Sequence, residues 1–545
     1  MDLGVILPPE RIDAMEARGD WAGKTTLDYL DATLARDPAR TAVVAHAGET
    51  GSTTTLTYAE LDRAARRIAQ GLIALGIAPG DVVSFQLPNW WQFTALHLAC
   101  IHAGAISNPL MPIFRARELR FMLGFAEAKL YVGPARFRGF DYPALMRDIA
   151  PELPQLKHCF YIGGGAQSFE RHFLDTPRAD APDVLAARRS GANDVTQLLY
   201  TSGTTGQPKG VMHTANTMFA CLTPIVQRFA MGAEDVIWMA SPLAHQTGFM
   251  YGMMLPVMLG APSVLHDIWA PAEAARSMAR TGATFTMAST PFLADLADLP
   301  SLADHDLSRF RIFLSAGAPI PRSLVERAAE RLGAHVLSGW GMTEIGCVTC
   351  CAPGDAAEKI FGTDGVALPG SAVKVVNEDG TEAPAGVEGL LKCKPNSLFA
   401  GYLKRPEAFG VDGDGWLDTG DYARMDADGY IRITGRAKDI IIRGGENIPV
   451  VEVEELLYRH PAVRECAVVA MPDARLGERG CAFVGLADGA ALSFQEMAAH
   501  LRGHGMAAHY FPEKLVIRDA LPRTPSGKIQ KFVLREEAKA FTADR

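Results

Sequence analysis

The sequence has no surplus of basic residues. Its 545 residues contain 53 lysines and arginines against 62 aspartates and glutamates, which gives a net charge of -9 and an isoelectric point near 5.9. A protein that binds the phosphate backbone of nucleic acid needs basic side chains to displace counterions. We therefore expect no nucleic acid among the partners of this protein.

Targeting and membrane-spanning segments are also lacking. Charged residues are spread through the first twenty positions, so the N-terminus has no apolar stretch of a secretory signal. The uncharged segment 247–265 has the length of a membrane span. Because Pro256, Pro262 and several glycines interrupt it, we interpret it as a buried helix followed by a strand. The sequence predicts a cytoplasmic protein without a membrane span.

Cysteine spacing excludes a disulfide framework. The chain has nine cysteines, an odd number without regular spacing, which is typical of a reducing compartment. Cys347, Cys350 and Cys351 form a local cluster, but no second Cys or His pair follows at zinc spacing. We therefore expect these three cysteines to be thiols packed in the core.

The composition and the pattern of the first two hundred residues indicate an α/β protein. The hydrophobic share of 48% can bury a large core, and the length favours about three to four structural units. Apolar residues at three- and four-residue spacing predict a helix over Leu56–Leu75, stopped by Gly76. A strand over Asp81–Leu87 and a buried helix over 90–104 follow. This alternation predicts a parallel sheet.

The pattern changes after residue 365. Alternating residues and Asp-Gly turns at Asp379-Gly380 and Asp428-Gly429 predict hairpins and an antiparallel sheet. Beyond Gly435 the pattern is mixed again, with a helix predicted over Val451–Arg459. We place a domain boundary near Arg436 to Lys438.

The segment "LLYTSGTTGQPKGVMH", residues 198–213, contains a candidate phosphate site. A strand ending at Tyr200 leads into a turn of Thr, Ser and Gly, whose N–H and O–H groups can converge on an anion. Lys209 adds a cation. The spacing is not that of the usual P-loop. On its own, such a segment is more often a solvated surface loop.

Three other segments carry candidate chemistry. In "SGWGMTE" (338–344), an aromatic ring between glycines can contact a purine, and Glu344 can bind a hard cation such as Mg²⁺. The carboxylates of "DGWLDTGD" (414–421) can bind the hydroxyls of a ribose. "PRTPSGKIQK" (522–531) places Lys528 in a loop. Taken singly, such a segment is more often an ordinary loop or turn.

Together, these motifs resemble those of the adenylate-forming superfamily, which includes acyl-CoA synthetases, peptide-synthetase adenylation domains and luciferases. The resemblance covers nearly the whole chain and also includes "SAGAP" (315–319) and "GRAKDIIIRGGENI" (435–448), all in the family's order. It implies a mixed α/β fold. A large N-terminal domain, residues 1–435, would have layered α/β subdomains and a β-rich subdomain, and a small mobile α+β lid, residues 436–545, would swing about a hinge near Lys438.

The resemblance also implies the nucleotide-binding residues. Those that would hold the ATP phosphates are Thr201, Ser202, Gly203, Thr204, Thr205 and Lys209. Those that would border the adenine and the α-phosphate are Gly317, Ala318, Pro319, Gly339, Trp340, Gly341, Met342 and Thr343. Asp421 and Arg436 would bind the ribose, and Glu344 would bind Mg²⁺. Lys528 would bridge the substrate carboxylate, the α-phosphate and the ribose, and Thr205, Glu344 and His245 complete the catalytic set.

The resemblance extends to the acyl and thiol sites. "SPLAHQTGFMYG" (241–252) matches the segment that lines the family's acyl site, where the contacting residues would be His245, Gly248, Phe249, Met250 and Met342. His245 would position the carboxylate rather than transfer a proton. The residues that would face coenzyme A are Arg443, Gly444, Gly445 and Glu446. Trp340 stands where the family more often has Tyr, and Pro449 comes one place early.

The expected activity is ATP-dependent ligation of a neutral, hydrophobic carboxylic acid to coenzyme A. The uncharged, methionine-containing acyl segment favours such an acid, and residues 87–123 look like those of cyclohexane-1-carboxylate and medium-chain acyl-CoA ligases. Two alternatives stay open: an adenylation enzyme that loads a carrier protein, and a nucleotide-binding regulatory module. The sequence leaves open the exact acid, the pathway, a homodimer and acetylation of Lys528.

Overall fold

The structure is a computed structural model that describes residues 2–165, 167–178, 181–201, 208–317, 320–436, 439–443, 446–473, 475–524 and 527–541. The helices are α1 (Pro9–Ala17), α2 (Thr26–Arg36), α3 (Tyr58–Ala74), α4 (Trp91–Ala103), α5 (Ala116–Phe125), α6 (Tyr142–Ile149), α7 (Pro182–Arg188), α8 (Ala215–Arg228), α9 (Leu255–Leu259), α10 (Pro271–Thr281), α11 (Thr290–Ala297), α12 (Arg322–Leu332), α13 (Ala357–Gly362), α14 (Val450–Tyr458), α15 (Phe494–Gly503) and α16 (Lys531–Ala538). Two π-helical segments cover Glu170–Asp175 and Gly248–Met254.

The strands follow the same chain order. They are β1 (Thr41–Ala47), β2 (Ser52–Thr57), β3 (Val82–Phe85), β4 (Ile106–Pro109), β5 (Leu130–Pro134), β6 (Arg136–Phe137), β7 (Phe140–Asp141), β8 (His158–Ile162), β9 (Val195–Thr201), β10 (Lys209–Thr214), β11 (Ile237–Met239), β12 (Ser263–His266), β13 (Phe285–Ala288), β14 (Ile312–Ser315), β15 (His335–Met342), β16 (Gly346–Cys350), β17 (Val366–Ala367), β18 (Ser371–Val376), β19 (Glu388–Pro395), β20 (Leu417–Met425), β21 (Ile431–Arg436), β22 (Ile441–Arg443), β23 (Glu446–Ile448), β24 (Val463–Asp473), β25 (Gly477–Leu486) and β26 (Lys514–Arg518).

Helix α3 illustrates how local signals set an element's ends. Its start is fixed by a capping box, in which the Thr57 side chain accepts from the Glu60 backbone and Glu60 accepts from Thr57. The predicted start at Leu56 was therefore wrong by two residues, because Leu56 and Thr57 complete strand β2. Gly76 stops the helix as predicted, with a left-handed φ of 82°.

Two mixed sheets form the N-terminal part of the chain. The first has the strand order β10-β9-β4-β3-β5-β8, and the second has the order β17-β16-β15-β14-β13-β11-β12-β1-β2. Both are parallel in the middle, for example between β3 and β4 and between β13 and β14, with antiparallel strands at an edge. The predicted parallel α/β arrangement is confirmed.

The hydrophobic clusters show how these layers stack. One cluster combines residues of α3, α4 and α8 with residues of both sheets, so these helices lie between the two sheets. Helices α10, α11 and α12 pack on the outer face of the second sheet, and α5 and α6 pack on the outer face of the first. The two sheets are thus held in a fixed relation by shared buried helices.

The remaining sheets confirm the predicted change of pattern. Strands β18-β19-β20-β21 form an antiparallel sheet, and β22 to β26 form a sheet with α14 and α15 on one face. Helix α14 begins at Val450, one residue before the prediction, and Pro449 directly precedes it, where no helical N–H is needed. The mixed α/β fold is confirmed, whereas the boundary between residues 435 and 436 stays a prediction.

The apolar segment 247–265 is buried inside the N-terminal part. It forms the π-helical segment, then α9, then strand β12, so the predicted helix followed by a strand is confirmed. Among the residues that the structure describes, no helix has both the length and the apolar character to cross a membrane. Cys347, Cys350 and Cys351 are buried thiols of the core between the sheets.

Candidate functional site

A cleft of about 1800 Å³ separates the N-terminal sheets from the C-terminal sheet and receives residues from both. Many of the predicted nucleotide-binding residues line it, although they are far apart in the sequence. These residues are Thr201, Gly317, Gly339, Trp340, Gly341, Asp421, Arg436 and Lys528. The fold thus brings most of the described motif residues to one cavity.

The hydroxyl-rich turn connects two antiparallel strands at this cleft. Strand β9 ends at Thr201, strand β10 begins at Lys209, and these two residues are paired. Thr201 and Pro208, which flank the turn, line the cleft. The predicted residues Ser202, Gly203, Thr204 and Thr205 lie outside the described part of the chain. The ends of the turn nevertheless fix where it leaves and rejoins the sheet.

Lys209 and Glu344 are linked by a residue that the sequence analysis missed, Tyr402. The Tyr402 hydroxyl donates a hydrogen bond of 2.7 Å to Glu344 Oε1, and Lys209 Nζ lies 4.7 Å from the centre of the Tyr402 ring. Burial and the adjacent Glu344 carboxylate raise the pKa of Tyr402, so its hydroxyl keeps its proton. A cation, a phenol and a carboxylate therefore form one cluster.

Thr343, next to Glu344, is held through its backbone by His213. His213 Nε2 lies 2.8 Å from the Thr343 carbonyl oxygen, and Nδ1 lies 3.0 Å from Thr217 Oγ1. Burial lowers the pKa of His213 to about 4, so the ring is neutral at physiological pH. Because a carbonyl only accepts, the ring carries its proton on Nε2. No motif in the sequence pointed to this support.

Trp340, Asp421 and Arg436 form a second cluster on the cleft wall. Trp340 Nε1 donates to Asp421 Oδ2 at 2.9 Å, and Arg436 Nε lies 2.9 Å from Asp421 Oδ1. Asp421 and Arg436 are neighbours in the pairing of β20 with β21. The Asp421 side chain is only 4% exposed, so its orientation is set before any ligand binds.

Two glycines allow close approaches at the site. A Cβ on Gly341 would lie 1.8 Å from the carbonyl oxygen of Gly346, so strand β15 requires glycine here. Gly317 has a φ of 85°, and a Cβ there would lie 3.3 Å from Lys528 Cε. Ala318 and Pro319, which follow Gly317, are outside the described residues.

Lys528 reaches the N-terminal sheets from the opposite side of the cleft. Its side chain lies beside Gly317, and the preceding Gly527 approaches Ser289 and Pro291 of the N-terminal part. Burial lowers the pKa of His245 to about 3, with a smaller contribution from the positive charge of Lys528. The lysine is therefore close enough to influence both the Gly317 loop and the predicted acyl segment.

The His245 side chain is neutral, and its hydrogen bond shows which ring nitrogen carries the proton. Its Nδ1 accepts from the Thr247 backbone N–H at 3.2 Å. Since the lowered pKa keeps the ring neutral, its proton is on Nε2. Because the ring does not change its protonation state near neutral pH, Nε2 stays a hydrogen-bond donor. This suits the positioning role that is predicted for His245.

The other predicted acyl residues lie in two hydrophobic clusters. Gly248, Phe249 and Met250 belong to the buried π-helical segment, and a Cβ on Gly248 would lie 2.2 Å from the Pro242 carbonyl oxygen. Phe249 and Met250 pack in the core between the sheets, whereas Met342 packs in the cluster that contains Trp340. Their joint role at one acyl site stays a prediction.

The predicted coenzyme A residues belong to the C-terminal sheet. Arg443 ends β22, forms an ion pair of 2.9 Å with Glu513, and is paired with Glu446 of β23. Gly444, Gly445 and the predicted hinge residue Lys438 are not among the described residues. The structure therefore locates the strand that presents this motif and leaves its role as a prediction.

Ion pairs cross between the antiparallel sheet and helix α14 of the C-terminal part. Arg424 Nη1 lies 3.3 Å from Glu452 Oε1, and Arg432 pairs with Glu455. Arg432 also lies 3.5 Å from Asp364 of the N-terminal part. Since the Arg432 and Glu455 side chains are both 16% exposed, this pair is only partly screened by water. We call these two crossing pairs, Arg424–Glu452 and Arg432–Glu455, the α14 latch.

Comparisons with known proteins agree with this architecture. A family model described as "AMP-binding enzyme" matches residues 30–403, and one described as "AMP-binding enzyme C-terminal domain" matches residues 452–528. The medium-chain fatty-acid–CoA ligase of Escherichia coli (strain K12) is 38% identical over 531 residues, which cover 97% of this chain and 93% of that protein.

Solved structures are similar over almost the whole chain. The anthranilate CoA ligase AuaEII in complex with anthranoyl-AMP has a TM-score of 0.85 at 26% identity, with 95% of this chain and 98% of that chain covered. ATP-bound MatB from Rhodopseudomonas palustris has a TM-score of 0.82 at 28% identity, with 95% and 99% covered. The chain belongs to the AMP-binding enzyme family and is an AMP-forming acyl-CoA synthetase of the adenylate-forming superfamily.

Proposed function

We propose that the protein activates a neutral, largely hydrophobic carboxylic acid, alicyclic or medium-chain, as its acyl-adenylate and transfers the acyl group to coenzyme A. The observation that carries this proposal is the position of Lys528, which lies beside Gly317 and close enough to His245 to affect its pKa. One cation from the C-terminal part thus approaches both Gly317, which is predicted to border the nucleotide, and the predicted acyl segment. The likeness to a medium-chain fatty-acid–CoA ligase supports the choice of acid.

In the first half-reaction, the substrate carboxylate attacks the α-phosphorus of ATP and pyrophosphate leaves. Both reactants are anions, so the site must lower their repulsion and stabilise the charge on the leaving group. Lys528 would stabilise the charge where the two reactants meet. Lys209 and the hydroxyl-rich turn would hold the pyrophosphate part, and Asp421 would bind the ribose hydroxyls. His245 would donate from Nε2 to the carboxylate.

The residues around Glu344 fit a magnesium ion. Carboxylate oxygen is the ligand that this hard cation prefers, and the Tyr402 hydroxyl already orients one oxygen of Glu344. When bound, Mg²⁺ would neutralise phosphate charge during pyrophosphate release. Tyr402 would keep the carboxylate in place, and Lys209 beside the Tyr402 ring would contact the same phosphates.

In the second half-reaction, the thiol of coenzyme A attacks the acyl carbon and AMP leaves. The position of Lys528 suits the first half-reaction, so the C-terminal part would have to turn about Lys438 to bring Arg443 and Glu446 to the thiol. A cytoplasmic location and a homodimer stay predictions.

The direct test is carboxylate-dependent pyrophosphate release, with Mg²⁺ and with or without coenzyme A. We expect the highest kcat/KM among medium-chain and alicyclic acids, and an acyl-CoA product only when coenzyme A is present. A parallel assay with phosphopantetheinyl carrier proteins separates the alternative acceptor. Acyl transfer to carrier proteins but not to coenzyme A would contradict the proposal, as would pyrophosphate release that no acid stimulates.

The α14 latch gives a second prediction, because it holds the C-terminal part where Lys528 reaches the site. Reversing both charges, Glu452→Arg with Glu455→Arg, should slow adenylation about tenfold, which corresponds to ~1.4 kcal/mol of lost docking free energy. Transfer of a supplied acyl-adenylate to coenzyme A should be unchanged or faster. The two half-reactions are measured separately by ATP–pyrophosphate exchange and by acyl-CoA formation.

Rescue and control variants test the latch further. Adding Arg424→Glu to Glu452→Arg restores opposite charges and should recover part of the adenylation rate. Glu152→Arg reverses one side of the Arg120–Glu152 pair, which is about as exposed as the Arg424–Glu452 pair but lies within the N-terminal part, and should have no effect. Equal slowing of both half-reactions would contradict the latch.

A further inference from the structure

A set of buried side chains next to the acyl segment forms a closed chain of contacts, which we call the polar ring. It consists of His97, Ser107, Gln197, Gln246 and Phe249. His97 bonds to Ser107, Ser107 is the strand neighbour of Gln197, Gln197 bonds to Gln246, and the His97 and Phe249 ring centres are 4.7 Å apart. Gln246 and Phe249 are three residues apart in one helical turn, which puts them on the same face and closes the ring.

One side of the polar ring ends in an acceptor without a partner. The Ser107 hydroxyl donates to the Thr196 carbonyl oxygen at 2.8 Å, so it accepts from His97 Nδ1, which is also 2.8 Å away. Burial lowers the pKa of His97 to about 3, and the ring is neutral. The proton is therefore on Nδ1, and Nε2 is an acceptor that has no hydrogen-bond partner among the described residues.

The other side of the polar ring carries two side-chain amides, and in each of them only one of the two polar atoms has a hydrogen-bond partner. Gln197 Nε2 lies 3.0 Å from Gln246 Oε1, which leaves Gln197 Oε1 and Gln246 Nε2 without a partner in the described structure. Exchanging the oxygen and nitrogen of both amides still leaves one donor and one acceptor unpaired. The polar ring thus has two acceptors and one amide donor to satisfy.

The unpaired atoms of the polar ring are buried, and a buried polar atom without a hydrogen-bond partner destabilises the fold. His97 and Gln197 are 0% exposed and Gln246 is 6% exposed. A buried polar group without a partner destabilises the folded state, so such groups are rare in folded proteins unless a ligand or water satisfies them. Gln246 directly follows His245, and Phe249 belongs to the predicted acyl segment. The polar ring is therefore adjacent to the residues that would contact the acid.

We propose that the polar ring binds a hydroxyl group carried by the acyl part of the substrate, so that the preferred acid is a hydroxy acid rather than a plain hydrocarbon acid. This inference rests on the proposed function, in which His245, Gly248, Phe249 and Met250 of the predicted acyl segment contact the acid. A hydroxyl offers one donor and two acceptors, so it can donate to His97 Nε2 or to an amide oxygen and accept from an amide N–H. An alkyl group would leave all three atoms unpaired.

Other polar groups match the polar ring less well. A carboxylate has no donor for the two acceptors, and an ammonium group cannot accept from the amide. The methionines of the π-helical segment, Met250, Met253 and Met254, are flexible enough to adjust around the rest of the acid. We therefore expect the site to select an acid that has a hydroxyl on an otherwise apolar acyl group.

The first test uses the unaltered protein and matched pairs of acids. Each pair, such as cyclohexanecarboxylic and 4-hydroxycyclohexanecarboxylic acid or octanoic and 8-hydroxyoctanoic acid, differs by one hydroxyl, and the series scans its position. We expect kcat/KM for ATP–pyrophosphate exchange to rise at least about tenfold for one position, because a site built to bond a hydroxyl discriminates against analogues without it. No preference at any position would overturn the proposal.

The second test removes the amides. Gln197→Leu with Gln246→Leu should abolish the preference for the hydroxy acid, measured as the ratio of kcat/KM for the two acids of a matched pair. Thr196→Val is the matched control, because Thr196 is a buried neighbour in β9 with an unpaired hydroxyl and points to the opposite face of the sheet. Melting temperatures check folding, and Gln246→Leu alone serves if the double variant is unstable.

The outcomes separate this inference from the proposed function. If no acid supports exchange, the proposed function fails. If acids are activated but the hydroxyl preference is the same in the protein and the double variant, the polar ring holds water only and the inference fails alone. A preference that the double variant loses and Thr196→Val keeps supports it.

Discussion

Lys528→Ala is expected to slow acyl-adenylate formation by about 10²–10³-fold, the usual cost of removing one group that stabilises developing charge. In the structure this side chain lies beside Gly317, which is predicted to border the nucleotide, and its charge affects His245 of the predicted acyl segment. Acyl transfer from a supplied adenylate to coenzyme A should remain largely intact, since we propose that the lysine serves only the first half-reaction.

The measurement is ATP–pyrophosphate exchange for the first half-reaction and acyl-CoA formation from supplied adenylate for the second. Lys531→Ala is a matched control, because Lys531 also lines the cleft but pairs with Glu454 of its own domain at 2.7 Å. Equal losses in both half-reactions would contradict the role of Lys528. So would a normal exchange rate in the Lys528 variant.

Glu344→Gln should have an effect of similar size, about 10²–10³-fold on adenylation. Glutamine keeps the shape and can still accept from the Tyr402 hydroxyl, so the fold is preserved. It removes the negative charge that would bind Mg²⁺, and the concentration of Mg²⁺ for half-maximal exchange should rise. The measurement is exchange rate against Mg²⁺ concentration at fixed ATP.

Tyr402→Phe tests how much the hydrogen bond from Tyr402 contributes to the role of the Glu344 carboxylate. It removes the hydrogen bond to Glu344 Oε1 while leaving the charge and the ring beneath Lys209, so we expect a smaller loss than in Glu344→Gln. An unchanged Mg²⁺ dependence in Glu344→Gln would show that this carboxylate does not hold the metal.

Elements with a local signal could be predicted from the sequence. Helix α3 has a periodic apolar face and a glycine stop, and the antiparallel strands follow Asp-Gly turns, so their type was correct. The start was harder to predict, because the apolar spacing continues back to Leu56, whereas the capping box of Thr57 and Glu60 begins the helix at Tyr58. Leu56 and Thr57 instead pair with strand β1 as the end of β2.

The supporting residues of the site could not be predicted, because their partners are distant in the chain. Trp340 and Asp421 are 81 residues apart, Glu344 and Tyr402 are 58 apart, and His213 and Thr343 are 130 apart. Motifs identify the residues that would touch the ligands, since these carry unusual chemistry. They do not identify residues such as Tyr402, which are ordinary in sequence and acquire a role only through the fold.

We propose that Lys528 and the residues of the N-terminal part that line the cleft act on the same adenylate. The most direct measurement is a crystal structure of the protein with a non-hydrolysable acyl-adenylate analogue. We expect the analogue in the cleft, with its ribose hydroxyls on Asp421, its phosphate mimic within hydrogen-bond distance of Lys528 Nζ, and its acyl group beside His245. An analogue bound away from Asp421 and Lys528 would contradict the account.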